Sequence, residues 1–261
     1  MTSRQPVDGS ARDGIRVDVL GVGVSAVSMG DAVRRISGWV AAGEREYVCV
    51  TGVHGVMESQ RDPALRKIHN ESGMTTPDGM PLVWAGRRAG ASWMTRVYGP
   101  DLLLEVLDRA ATEGWRCFFY GGARGVADQL AVRMRERFPE LVVVGTFSPA
   151  HPPVPGADVK MINAARPDLV WVGLSTPMQE RWMAAHRSVL DAPVLLGVGA
   201  AFDMHAGLLP QAPGWMQRSG LEWAYRLARE PRRLAGRYLR NNPAFLAAIV
   251  RRPPRLQPPG R

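Results

Sequence analysis

Short apolar runs alternate with stretches of helical spacing from about residue 15 onward. The runs predict strands at Ile15–Leu20, Glu46–Val50, Arg116–Tyr120, Leu141–Gly145, Asp168–Leu174 and Ala192–Val198. Several are apolar at every position (CFFY, LVVVG, LVWVGL, VLLGVG) rather than at alternate ones. That pattern belongs to strands covered on both faces, as in a parallel sheet. Between them, Ser28 and Asp31 form an S-x-x-D capping box that starts a helix running to Val40. Met80–Arg88, Asp101–Thr112, Gly125–Phe138, Pro177–His186 and Leu221–Arg229 carry further helical spacing. Alternating β and α elements predict an α/β fold: a doubly wound, mostly parallel sheet with helices on both faces, binding ligands at the carboxyl ends of its strands.

Charge divides the chain. The formal net charge is +9, and residues 226–261 hold ten arginines against one acid, Glu230, so the preceding residues are neutral. This excludes a uniformly basic nucleic-acid coat and predicts a local appendage that seeks anions or a membrane surface. The organisation expected is a polar tail at 1–13, an α/β domain at 14–220 and a basic, helical appendage at 221–261. Within the appendage, the apolar run Ala244–Val250 is bracketed by arginines and is suited to a membrane interface, to pairing with another subunit or to packing on the core. No run reaches the roughly 20 apolar residues of a membrane span, and the N-terminus lacks a signal-peptide core, so a cytoplasmic protein is expected. Cys49 and Cys117 sit in apolar runs and read as buried thiols. The Pro-rich stretch Ser148–Pro155 reads as a loop, either a connector or a lid.

Four small-residue turns follow apolar runs. Gly121-Gly122-Ala123-Arg124-Gly125 opens a helix, where free N–H groups meet phosphate. Its spacing is not G-x-G-x-x-G, and the next strand ends without an acid for a ribose, which disfavours NAD. A nucleotide or sugar-nucleotide site and a plain tight turn both remain. Asp78, between Pro77 and Gly79, is placed to cap a helix or to act as a general base. Gly173-Leu174-Ser175-Thr176-Pro177 leads into Gln179 and Glu180 in a first helical turn, where Gln179 could donate to a nucleotide or sugar oxygen. Gly197–Asp203, with Phe202 and Asp203 at its end, is the fourth. The sequence has no P-loop, no G-x-S-x-G, no H-E-x-x-H and no D-x-D pair, and its five histidines lack ligand spacing.

Taken in order, TPDGMP (76–81), RVYGPDL (96–102), FFYGGARGVA (118–127), VGLSTPMQE (172–180), GVGAAFDMHAG (197–207) and APGW…LEWAYRLAREPRR (212–233) resemble the WecG/TagA/CpsF family of bacterial glycosyltransferases. The resemblance implies inverting transfer from a UDP-sugar donor to a polyprenyl-diphosphate-linked saccharide, without metal or other cofactor, at the inner face of the membrane. The best-known members transfer N-acetylmannosamine. It implies Asp78 as general base and Gln179 near the donor. Thr51, His54, Arg96, Gly121, Gly122, Gly125, Gly173, Glu180, Phe202 and Asp203, with Arg226, Arg232 and Arg237 of the appendage, are the candidate substrate-binding residues. Nucleic acid is not implied as a partner.

Three departures accompany the match. The family's T-x-N is Thr51-Gly52-Val53 here, with His54 following as a possible substitute. Its R-A-P-x-W is Gln211-Ala212-Pro213-Gly214-Trp215, and its G-x-P-x-Q-E turn is altered to Leu174-Ser175-Thr176-Pro177. They leave a nucleotide-sugar-binding regulatory or scaffold protein of the same fold as the alternative reading.

Overall fold

The computed structural model describes residues 12–149, 156 and 158–258. Its first part contains β1 (Arg16–Val19), β2 (Val22–Ser25), α1 (Met29–Ala42), β3 (Glu46–Thr51), α2 (Val53–Arg61), α3 (Pro63–Glu71), β4 (Met74–Pro77), α4 (Met80–Arg88) and α5 (Gly99–Glu113). Then come β5 (Arg116–Gly121), α6 (Val126–Arg137), β6 (Val142–Phe147), α7 (Val159–Ala165), β7 (Leu169–Gly173), α8 (Met178–His186), β8 (Val194–Gly197) and α9 (Ala201–His205). α10 (Gly214–Arg218), α11 (Glu222–Arg229), α12 (Pro231–Arg251) and β9 (Arg255–Gln257) complete it.

Six parallel strands form the central sheet in the order β4-β3-β8-β7-β5-β6. The continuous apolar runs are explained by side chains alternating between two cores. Val48, Phe119, Trp171 and Leu196 face one, shared with Ile36 of α1, Leu103 of α5 and Leu130 of α6. Cys49, Phe118, Val170 and Leu195 face the other, against Ile162 of α7 and Trp182 of α8. Each such large side chain, fully buried, contributes about 1.5–3 kcal/mol. Both cysteines are free and buried, and burial pushes the Cys117 thiol up to about 12. The capping box is formed as expected. Ser28 Oγ accepts from the Asp31 N–H at 3.2 Å, and Asp31 Oδ2 accepts from the Ser28 N–H at 3.0 Å.

One strand lies elsewhere. The run at Ile15–Leu20, expected in the parallel sheet, becomes β1 at the centre of a separate antiparallel sheet, β2-β1-β9. The reason is local. Leu20 (φ 56) and Gly21 (φ 87) turn the chain back at once, as a two-residue hairpin requires, and leave no length for a crossover helix.

The C-terminal segment packs against this small sheet. α12 is a single 21-residue helix that contains Pro243, and Phe245 enters a third core with Val17, Val24, Val56 and Leu82. β9 then pairs with β1, and Arg252 Nη2 meets Asp18 Oδ2 at 3.0 Å. Among the described residues, no helix is long and apolar enough to cross a membrane. Of the Pro-rich stretch expected as a loop, residues 150–155 lie outside the described residues.

Candidate functional site

β3 leads to β4 at one edge of the sheet and β5 leads to β6 at the other, so connections leave in opposite directions and a crevice opens at the strands' carboxyl ends. A cleft of about 520 Å³ occupies it. Gly52 and His54 beyond β3, Asp78 beyond β4, Ser175 beyond β7 and Gly199 beyond β8 form its floor, while Arg226, Arg237 and Tyr238 of α11 and α12 form a wall.

Asp78 is set by backbone bonds. Its N–H donates to the Thr51 carbonyl oxygen at 2.9 Å, which extends the β3–β4 ladder by one residue. Its Oδ1 accepts from the Gly99 N–H at 2.9 Å, at the start of α5. Gly79 is the N-cap of α4 and Tyr98 gives α5 no side-chain cap, so Asp78 supplies α5 from outside. Among the described residues, Oδ2 has no such donor. Gly52 stands beside it, and a Cβ there would lie 3.7 Å away. Burial raises the Asp78 pKa above the ordinary carboxylate value, against the pull of Arg96.

Arg96 lines the cleft, but its guanidinium is engaged. Nε donates to the Asp78 carbonyl oxygen at 2.6 Å, Nη1 to Gln217 Oε1 at 3.3 Å and Nη2 to Glu222 Oε2. The guanidinium lies over the Tyr98 ring at 3.8 Å, and the Tyr98 hydroxyl donates to Glu222 Oε1 at 2.7 Å. Here the side chain clamps α11 to the floor of the cleft in which it was expected to meet substrate. The Arg96 and Glu222 side chains are only 15% and 12% exposed, so Glu222→Ala would leave a guanidinium without its carboxylate. The expected loss is about 3 kcal/mol, read as a lower urea midpoint; an unchanged midpoint would remove the clamp.

Arg226 and Arg237 make no ion pair among the described residues. The Arg237 pKa is lowered first by burial and then by Arg233 and Arg226. These crowded cations favour an anion between them. His54 lies at the start of α2. Burial, then Arg237, pushes its pKa down to about 4, so the ring is neutral near pH 7. Asn241 Oδ1 accepts from Arg61 Nη2 at 3.0 Å, which turns Asn241 Nδ2 toward His54 Nδ1 at 3.1 Å. Nδ1 is therefore the acceptor and Nε2 carries the proton.

The model of the family described as "Glycosyl transferase WecG/TagA/CpsF family" matches residues 17–258. The chain belongs to this family. Similar proteins include three named N-acetylglucosaminyldiphosphoundecaprenol N-acetyl-beta-D-mannosaminyltransferase. One from Bacillus spizizenii is 29% identical over 194 residues, 74% of either chain. One from Bacillus subtilis is 31% identical over 162 residues, 62% of this chain and 63% of the relative. One from Staphylococcus aureus is 26% identical over 241 residues, 90% of this chain and 92% of the relative.

Not every motif residue of this glycosyltransferase reaches the cleft. Asp78, His54, Arg96, Gln179, Arg226 and Arg237 line it. Gly121, Gly122, Gly125 and Gly173 do not. A side chain on Gly121 would strike the Gly173 backbone at 2.7 Å, and one on Gly173 would strike the Phe202 ring at 2.6 Å. The close approach of β5, β7 and α9 explains these two. Phe202 is fully buried against Phe119. Thr51 turns away from the cleft, its Oγ1 2.8 Å from Nε2 of the buried His69. Glu180 is fully buried behind Gln179. Asp203 stands outside the lining, its carboxyl pKa raised by burial against the pull of Arg233 and Arg226. Arg232 is exposed outside the lining, and Arg233, also exposed and paired with Glu230 at 2.6 Å, lines the cleft in its place. Glu222, Tyr238 and Asn241 were not singled out from the sequence; Glu222 lies inside the LEW motif, which was its available signal. Among the described residues, no three His, Cys, Asp or Glu side chains come together as a metal cluster.

Proposed function

We propose that this glycosyltransferase moves a sugar from a UDP-sugar to a saccharide carried on a polyprenyl diphosphate, with inversion at the anomeric carbon. The observation that carries the reading is a half-buried carboxylate, Asp78, sharing one cleft with Arg226 and Arg237, which make no ion pair among the described residues. Asp78 Oδ2 takes the proton of the acceptor hydroxyl as that oxygen attacks the anomeric carbon. The bond to UDP breaks on the opposite side, and Arg226 and Arg237 hold the charge that grows on the diphosphate. Arginine suits this because its planar fork pairs bidentately with phosphate. The relatives' shared name supports an N-acetylmannosaminyl donor and an N-acetylglucosaminyl diphosphoundecaprenol acceptor.

The acceptor's lipid places the reaction at a membrane surface, which we take to be the cytoplasmic face. Leu239, Leu246 and Val250 of α12 are 74%, 63% and 78% exposed, beside Arg240 and Arg251, and suit peripheral contact with acidic lipid. The test is UDP release from a panel of UDP-sugars, with the lipid-linked acceptor on anionic vesicles. UDP-N-acetylmannosamine is expected to support turnover and the protein to sediment with the vesicles. No UDP release from any donor would reject the reading, and protein left in the supernatant would reject the membrane contact.

A further inference from the structure

The first turn of α8 holds two buried polar side chains with one unpaired oxygen each. Gln179 is 2% exposed and Glu180 is fully buried. Thr176 Oγ1 donates to Glu180 Oε1 at 2.8 Å, and Gln179 Nε2 donates to the same oxygen at 3.2 Å. Gln179 Oε1 and Glu180 Oε2 have no partner among the described residues. Buried polar atoms are nearly always hydrogen-bonded, so each orphan needs a reason.

The glycines of the fourth motif frame the Gln179 amide. A Cβ on Gly197 would lie 3.2 Å from Gln179 Cδ, and one on Gly199 would lie 3.3 Å from Oε1 but 3.9 Å from Nε2. The amide thus rests against the end of β8, with its oxygen on the Gly199 side. Gly199 has φ +52 and no side chain, and a side chain there would press on that oxygen. Turning the amide over would set its oxygen against Glu180 Oε1. Ionised or protonated on Oε2, Glu180 keeps Oε1 as an acceptor, so it opposes the turn in both states.

We propose that Glu180 is a positioning residue that locks the Gln179 amide with its oxygen presented as an acceptor, and that Gln179 selects a ligand carrying an N–H or O–H at that point. This rests on the nucleotide-sugar reading for the ligand's identity, but not for the amide's orientation. It reverses the role expected from the sequence, in which Gln179 donated to a ligand oxygen. Two groups of a UDP-sugar have the required chemistry: the uracil N3–H and a sugar hydroxyl or acetamido N–H.

The experiment has a ligand-free arm and a ligand arm. In the first, the side-chain amide signals of Gln179 are assigned in a nitrogen–proton correlation spectrum by their loss in Gln179→Met. One Nε2 proton is expected to exchange slowly with water in the wild type and rapidly in Glu180→Ala. Equal exchange in both proteins overturns the lock. Glu180→Gln is the near-isosteric variant, used should Glu180→Ala fail to fold. Its amide can donate toward Gln179 and release the orientation, so altered Gln179 shifts support the lock and unaltered shifts overturn it.

In the second arm, UDP, N3-methyl-UDP and UDP-N-acetylmannosamine are titrated into wild type and Gln179→Met. If Gln179 accepts from uracil, wild type should prefer UDP to its N3-methyl form at least tenfold and Gln179→Met should lose that preference. If it accepts from the sugar, the variant should bind UDP as wild type does and the UDP-sugar at least tenfold more weakly. Equal affinity of wild type and variant for all three overturns the selectivity role. A wild type that binds none of them rejects the UDP-sugar reading and with it this selectivity, while the exchange arm still decides the lock.

Discussion

Asp78→Asn is expected to lower turnover by about two to four orders of magnitude while fold and UDP affinity persist. The amide is isosteric with the carboxylate, so its oxygen can still accept from the Gly99 N–H that holds Oδ1 at 2.9 Å. What disappears is the basicity of Oδ2. The same assignment fixes a pH profile. Transfer needs the ionised carboxylate, and burial raises its pKa, so the acid limb of kcat/KM should lie above the ordinary aspartate value of about 3.9. Activity should fall as pH drops through that limb. UDP release measured across pH checks both parts. Wild-type turnover in the Asn variant would remove Asp78 as the base.

The double variant Arg226→Ala, Arg237→Ala is expected to weaken UDP binding by about two to four orders of magnitude. Each charge-assisted bond to phosphate contributes about 1.5–3 kcal/mol, and about 1.4 kcal/mol is tenfold in affinity. Arg232→Ala supplies the contrast. It removes the same charge from the same segment, but its side chain is exposed outside the cleft lining, so UDP affinity should hold. Calorimetric titration of UDP at fixed ionic strength separates the two. Equal losses from Arg232→Ala and from either single cleft variant would mean that net charge, rather than placement, binds the nucleotide.

A strand covered on both faces announces itself in the sequence. Phe118 and Phe119 face opposite cores, and the unbroken apolar run CFFY records that both faces are covered. The run at β1 differs: Arg16 and Asp18 alternate with Val17 and Val19, the pattern of a strand covered on one face, and its partners are β2 and a strand at the far end of the chain. Apolar periodicity does not encode such a pairing. α2 and α3 were missed for a different reason. Asp62 ends α2 and caps α3 through the Ala64 and Leu65 N–H groups, so the two helices abut at a residue that reads as a turn.

The site divides in the same way. Asp78 was legible as a candidate through the TPDGMP motif of the family resemblance; its residue context alone also allows a helix cap, and its Oδ1 does meet the Gly99 N–H at the start of α5. The placing of Arg233 rather than Arg232 in the cleft depends on the rotational phase of α12, which one residue changes by about 100°. Arg96 was legible as a cleft residue, but not its engagement with Glu222, because that pair joins segments 126 residues apart.

The pairing of β1 with β9 also bears on the order of folding. Among the described residues, it has the largest sequence separation of any strand pair. Loop-closure entropy disfavours such contacts until the intervening chain is already compact. The six-stranded core can therefore consolidate first. The wall carrying Arg226 and Arg237 is then expected to dock onto a finished floor, which makes completion of the cleft a late event in the maturation of the chain.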